Sequence, residues 1–345
     1  MRLSRVVAVF LGATYVSAQA PAGTSMCDYY TTAVLKNNTA DNQLALLTVL
    51  VNTAVIGNYS SFGNGMALPG ILGAGTYMGE AVNLLPYFDG SLPTSNVGMP
   101  GQYQTIGSDG VAGYVNYLDG GGAAPLLMNM PANDTTSNQY GLMTHLYEFF
   151  GILLGCSQQS TADPSQIGLV TANGGFNSYQ GDPSMYDVHR FMNLTAAQLG
   201  YFIAQVALAA ESLGVASSDV DAVGVALATT FTELCLAPSV IVPGIPAAFQ
   251  QPTMCNDVSC SKAMSDSCNA YPNPMELKAL YDASSCTATM NTTQSFGETL
   301  GQCPGSTISS GSSTSAPLSG ESVSTGSTAV CDVVDPTRLE APVCT

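Results

Sequence analysis

Residues 195–214, TAAQLGYFIAQVALAAESLG, decide the fold, because their apolar side chains recur at helical spacing. The apolar stripe consists of Leu199, Phe202, Ile203, Val206, Ala210 and Leu213. A spacing of three and four residues predicts an amphipathic helix that packs on a core. Thr195 is a favourable N-cap, and Gly214 is the residue type that commonly follows a helix end.

The same periodicity predicts further helices on both sides of this stretch. One is expected to begin at Asp41 and end at Gly57, one to run from Ser137 to Gly155, one to span 184–192, and one to begin at Ser217 or Ser218 and end at Cys235. Residues of about 60–135 are rich in Gly, Pro and Asn and predict a large loop insertion, with short helices near 80–87. The fold class is therefore predicted to be mainly α.

The first 18 residues have the pattern of a signal peptide. Arg2 and Arg5 precede the apolar run 6–13, and Ala18 completes a small-residue cleavage site, so Gln19 is expected to be the first mature residue. No later stretch reaches the roughly 18 apolar residues of a membrane-spanning helix, and no membrane insertion is expected. The sequence thus predicts a secreted, extracellular protein.

The ten cysteines favour disulfides over a zinc site. Their even number suits an exported chain, whereas none of the spacings after Cys255 forms the CxxC pair of a zinc site and no His lies nearby. Glycosylation is also predicted, from five sequons that begin at Asn37, Asn58, Asn133, Asn193 and Asn291.

Composition divides the mature chain into three regions. Residues 19–240 predict a helical domain that contains the insertion, residues 241–304 a Cys-rich, disulfide-stapled extension, and residues 305–345 a Ser/Thr/Gly-rich tail that ends in the pair Cys331 and Cys344.

The net charge argues against polyanionic partners. It is −17 for the whole chain; removing Arg2 and Arg5 with the signal peptide leaves five basic against 24 acidic residues, a charge of −19. Such a surface repels nucleic acid and anionic membranes. Contact with a cell wall or extracellular matrix is more compatible with this charge.

Familiar catalytic motifs are absent from the sequence. It has no GxSxG elbow, HExxH zinc motif, phosphate-binding loop or EF-hand loop. A hydrolase that uses two carboxylates stays open, because the spacing of such a pair is set in space and not along the chain. Whether the protein is an enzyme is therefore left undecided.

The two histidines are the most informative polar residues. His145 and His189 both lie on apolar faces of predicted helices. A histidine in that position is often an ordinary core residue. A neutral imidazole in an apolar slot is also what haem iron requires as an axial ligand.

The stretch 179–202 resembles the proximal-helix region of truncated (group I) haemoglobins. It contains Tyr179-x-Gly181, then Met185-x-x-x-His189, then a break and a helix that includes Phe202. The Gly-Val pair at 214–215 is similar to the turn between the last two helices of that family, and residues 142–156 resemble its E helix. The chain also resembles secreted fungal proteins.

The resemblance implies a globin-like fold that holds haem b. By it, His189 is the proximal iron ligand and His145 a distal ligand, so that the iron has two imidazoles. The remaining residues assigned to the pocket are Arg190 and Tyr186 at the haem propionates and Phe149, Met185 and Phe202 in its wall.

Two functions follow as expectations. The first is a secreted haem-binding protein for electron transfer, haem capture, or peroxide and nitric oxide chemistry, with a redox partner or a small gaseous ligand. The alternative is a globin-like scaffold without haem that acts as a structural or interaction protein of the wall or matrix.

Overall fold

The computed structural model describes residues 19–57, 68–94, 113–160, 176–179 and 181–284, all in one compact unit. The predicted signal peptide, the sequons at Asn58 and Asn291, the last four cysteines and the Ser/Thr-rich tail lie outside the described residues.

The described part of the chain is mainly α-helical, as predicted. Its α-helices are α1 Met26–Leu35, α2 Ala40–Ile56, α3 Leu85–Phe88, α4 Ala123–Leu127, α5 Asn138–Leu153, α6 Met185–His189, α7 Ala196–Ser212, α8 Ser217–Phe231 and α9 Pro274–Ala283. Short 3₁₀ turns cover Arg190–Met192, Ala247–Phe249 and Cys268–Ala270. The strands β1 Gly75–Tyr77 and β2 Glu80–Val82 form an antiparallel hairpin, and β3 Glu233–Leu234 pairs in parallel with β4 Ser261–Lys262.

The capping contacts confirm the predicted starts of two helices. At the start of α7, the Thr195 side chain accepts a hydrogen bond from the backbone of Gln198, whose side chain accepts one from the backbone of Thr195. This reciprocal pair satisfies two donors that a helix start leaves unpaired. At the start of α5, the Ser137 hydroxyl accepts a hydrogen bond from the backbone N–H of Tyr140.

Two predicted helix starts are wrong. The cap of α2 is Thr39, whose hydroxyl accepts from the backbone of Asn42, and Asp41 lies inside the first turn. The last helix of the predicted set, α8, has Ala216 as its N-cap with no side-chain hydrogen bond. This helix also ends at Phe231 and not at Cys235, because Glu233–Leu234 pairs with β4.

The central helix of the core is α2, which packs against α1, α5 and α7, while α7 also packs against α8. The β1–β2 hairpin lies on α7, where Gly200 is required: a Cβ there would stand 2.1 Å from the ring of Tyr77. No single described helix is long and apolar enough to cross a membrane; α1 and α2 meet that test only as a pair bent by 95°. Most of α2 is buried in the core.

Six of the cysteines form the predicted disulfides. Cys27 is bonded to Cys156, Cys235 to Cys268, and Cys255 to Cys260. The first bond ties the start of α1 to the end of α5. The other two lie in residues 235–284, which we call the C-terminal segment.

Candidate functional site

The short helix α6 positions His189. Its N-cap is Ser184, whose hydroxyl accepts from the backbone of Asp187, and His189 is its last residue. The Nδ1 atom of His189 lies 2.7 Å from the carbonyl oxygen of Met185. Because a carbonyl only accepts, Nδ1 must carry the proton, which leaves the lone pair on Nε2.

Burial lowers the pKa of His189 to about 4, although the hydrogen bond to Met185 acts in the opposite direction. The ring is therefore neutral at neutral pH. A neutral imidazole whose Nδ1–H is fixed by a backbone carbonyl is the usual arrangement of a metal-binding histidine.

Arg190 is engaged within its own helix turn. Its Nε lies 3.8 Å from the Asp187 carboxylate, and its guanidinium lies 4.7 Å from the ring centre of Phe191. Burial raises the pKa of Asp187 and the charge of Arg190 opposes that shift. A haem propionate at Arg190 would have to compete with this carboxylate.

His145 and Phe149, one turn apart on α5, meet the same tyrosine. The ring of Tyr179 lies edge-on to both, with centroid distances of 5.7 Å to His145 and 5.2 Å to Phe149. Burial lowers the pKa of His145, so that this imidazole is neutral as well. The structure thus brings the predicted pair His145 and Phe149 together, with Tyr179 against the histidine ring.

The other predicted pocket residues have separate environments. Met185 is buried, and its carbonyl holds His189. Tyr186 is buried against the ring of Tyr271 at 5.1 Å, and its burial raises the pKa to about 12. Phe202 is half-buried on α7 and packs on the core.

Asp182 is a buried acid to which the sequence analysis gave no role. Its carboxylate accepts from the backbone of Ser184 at 2.8 Å, and its backbone carbonyl accepts from the Tyr179 hydroxyl at 3.0 Å. Burial raises the pKa of Asp182 to about 7, opposed by the hydrogen bond from Ser184. The Asp182–Ser184 turn therefore links Tyr179, which contacts His145, to the helix that ends in His189.

An apolar cavity of about 60 Å³ lies among α1, α2, α7 and α8. Its wall includes Tyr30, Leu50, Val206, Val223 and Leu227, and contains neither histidine. The acidic residue in this wall is Asp219, the third residue of α8, which is only 1 % exposed. No sequence pattern predicts this site, since an Asp in the first turn of a helix is ordinary.

The one cluster of potential metal ligands among the described residues is Cys235, Asp266 and Cys268, whose ligand atoms lie within 4.8 Å of one another. The two cysteines are bonded to each other and have no thiolate to offer a metal. This cluster is therefore explained by the disulfide.

The residues of the histidine region fit haem in one respect. His189 has the tautomer, the neutral charge and the supporting carbonyl of an axial ligand. His145 is neutral too, and its ring is in edge-on contact with Tyr179.

Comparison of the chain with protein-family models, with curated proteins and with solved structures found no match.

Proposed function

We propose that this is a secreted haem-binding protein in which His189 is the iron ligand. The observation that carries the proposal is the 2.7 Å hydrogen bond from Nδ1 of His189 to the Met185 carbonyl. It leaves Nε2 unprotonated, and it holds the ring in one orientation about the axis of α6. When bound, haem supplies one-electron transfer and the binding of peroxide or small gaseous ligands.

The order of the helices supports the proposal. The segments that resemble truncated haemoglobins correspond to α5, to α6 with His189, and to the pair α7 and α8. Packing of α2 on α5 and of α7 on α8 gives two helix pairs joined through the contact of α2 with α7. We propose a globin-like arrangement for this scaffold.

The residues around His189 have defined tasks in this proposal. The Met185 carbonyl orients the imidazole and makes it a stronger donor to a metal. Burial keeps the ring neutral down to about pH 4, so that acid does not compete for Nε2 above that value. Tyr186 is buried against Tyr271, so this part of α6 is closed to water.

A scaffold without haem is the second candidate, and two contacts favour it. The Tyr179 ring occupies space beside His145, and Asp187 already neutralises Arg190. In that function the two histidines are core residues, and the disulfides and the exposed sequon residues Asn37, Asn133 and Asn193 suit a glycosylated protein of a wall or matrix.

The visible spectrum of the full chain with haem added separates the two functions. Haem binding predicts a sharp Soret band that is lost in His189→Ala; His145→Ala, matched for the loss of one imidazole, should retain haem and become five-coordinate if both histidines bind iron. Folding of each variant is checked by far-ultraviolet circular dichroism. A folded wild-type protein that shows no Soret band above free haem contradicts the proposal and favours the scaffold.

A further inference from the structure

The carboxylate of Asp219 is buried and only partly satisfied. Its Oδ2 accepts from the Tyr30 hydroxyl at 2.6 Å and from the backbone N–H of Ala20 at 2.8 Å. Its Oδ1 is buried and has no hydrogen-bond donor among the described residues. A buried oxygen without a donor is strongly destabilising, so its presence at a residue that is 1 % exposed requires an explanation.

Among the described residues, no basic side chain is paired with Asp219. The described basic residues are Lys36, Arg190, Lys262 and Lys278. Arg190 forms its ion pair with Asp187, and Lys278 forms its ion pairs with Asp266 and Asp282. The neighbouring Tyr30 is neutral, because burial and its hydrogen bond to Asp219 raise its pKa above the usual range. The backbone N–H of Ala216 donates to the hydroxyl of Tyr30 and not to the carboxylate of Asp219.

The chain itself brings a cation to this place if the signal peptide is removed as predicted. Cleavage after Ala18 makes Gln19 the first residue, and its nitrogen precedes the Ala20 nitrogen that already bonds to Asp219. Successive backbone nitrogens are at most about 3.7 Å apart, so a rotation about one bond moves the new amino group over the carboxylate.

We infer that Asp219 is the binding site for the protein's own new amino terminus, with the α-ammonium group of Gln19 donating to Oδ1. The pair closes a charge-assisted hydrogen bond at the apolar cavity, where the wall of α1, α7 and α8 side chains limits screening by water. The uncleaved chain has only an amide at residue 19, which carries no charge. Removal of the signal peptide therefore completes the site and fixes the start of α1 to the start of α8.

The fixed start of α1 also limits where the amino terminus can move. Ser25 caps α1 through the backbone of Asp28, and Cys27 is bonded to Cys156. Only five residues separate Ala20 from α1, so the amino terminus has little freedom to leave Asp219. This short tether raises the effective concentration of the ammonium group at the carboxylate.

The test compares mature chains that carry Gln19→Ala, because a terminal Gln can cyclise to a neutral lactam. One form begins at residue 19. The other carries Gly-Ser before residue 19, and this extension moves the ammonium group away from Asp219. Both forms are also made with the substitution Asp219→Asn. We expect the extension to lower the Tm by roughly 3–5 °C, the scale of one charged pair in a domain of this size. The extension should have no effect on the Asp219→Asn chain.

Acylation of amines near neutral pH gives an independent readout. The α-amine of the folded Gln19→Ala chain that begins at residue 19 is expected to react at least tenfold more slowly than in the same chain in urea, with the exposed Lys36 as internal control. This measurement needs only the Asp219 protein, should the Asn variant not fold. Equal Tm values for the two forms, or an α-amine that reacts at the same rate in the native and unfolded chain, would overturn the inference. Neither readout depends on haem, so a protein that fails to bind haem can still be tested in this way.

Discussion

The helical body and the C-terminal segment bury their interiors with different chemistry. In the body, formed by α2, α5, α7 and α8, most buried side chains are apolar and follow helical stripes, and a few amides such as Asn52 and Gln139 are buried among them. The C-terminal segment buries a larger share of amides and hydroxyls beside its cystines, namely Gln250, Gln251, Thr253 and Asn256.

The difference follows from where the backbone finds its hydrogen bonds. A helix pairs its own N–H and C=O groups, so apolar side chains suffice around it. The C-terminal segment has little regular structure, and the side chain of Gln250 supplies hydrogen-bond partners to its backbone. Oε1 of Gln250 accepts from the N–H groups of Ile241 and Val242, and Nε2 donates to the carbonyls of Val242 and Ile245. A side-chain amide can thus do locally what a β-ladder does for a strand.

Gln250→Leu should show the largest effect on this comparison. The side chain is 0 % exposed, and its loss leaves the N–H groups of Ile241 and Val242 and the carbonyl of Ile245 without partners, while the Val242 carbonyl still accepts from Ile245. At about 1–3 kcal/mol for each buried unpaired group, we expect the free energy of unfolding to fall by about 3 kcal/mol or more in urea titration. The neighbouring Phe249→Leu, at an exposed position, should change it little. A loss below 1 kcal/mol for Gln250→Leu would show that water replaces the amide.

Leu47→Ala makes the corresponding change in the helical body. Leu47 is 0 % exposed in the middle of α2, and its truncation should lower the free energy of unfolding by about 3–5 kcal/mol through lost burial and a cavity. Leu127→Ala is a matched control, since Leu127 is 53 % exposed and the same truncation there should stay within about 0.5 kcal/mol. Equal losses at both positions would contradict the assigned core.

Asp182→Asn tests the buried acid that accepts from Ser184, the N-cap of α6. The folded pKa of Asp182 is raised to about 7 from 3.8, so the folded state favours the neutral acid. Its contribution to stability is full below pH 4 and is lost as the pH rises toward 7. Relative to Asp182→Asn, the wild type should therefore lose on the order of 2 kcal/mol between pH 4 and pH 7.

His189 changes in the opposite direction, since a pKa lowered to about 4 means that stability is lost as the pH falls below its unfolded value toward 4. The difference between Asp182→Asn and wild type removes this common contribution. Parallel pH profiles of the two proteins in thermal unfolding would be inconsistent with a raised pKa at Asp182.

Ala216→Ser should give the smallest effect. Ala216 is the N-cap of α8 with extended backbone angles and no side-chain acceptor for the helix start. A serine hydroxyl there should stabilise the protein by about 0.5–1 kcal/mol, measured as a rise in Tm. The Thr195→Ala variant of α7 is the reciprocal control, with a loss of about 1 kcal/mol.

Helices were predicted best where local signals and tertiary packing agree. The stripe of α7, its cap at Thr195 and the cap of α5 at Ser137 are local features that the structure retains. At α2 the predicted cap was Asp41, whereas the hydroxyl of Thr39, two residues earlier, accepts the hydrogen bond at the helix start. A cap depends on the backbone torsion angles at one residue, which composition does not determine.

The buried acids lay beyond the reach of sequence analysis for a different reason. Asp219 meets Tyr30 and Ala20 across 189 and 199 positions of the chain, and no periodic pattern encodes that contact. Asp182 lies in a Gly-Asp-Pro-Ser turn, where the sequence suggests an exposed residue, and only the packing of Tyr179 and α6 buries it. The histidines were found because the chain has just two of them.

The disulfide from Cys27 to Cys156 makes the chain between them a covalent ring of 129 steps. A protease that cuts once inside this ring opens it but releases no fragment, because both new ends stay attached to the cystine. Migration on a non-reducing gel would remain that of a single chain, and only a reductant would separate the pieces. The stretch from Cys27 to Cys156 can thus be cut once by a protease without being lost from the chain.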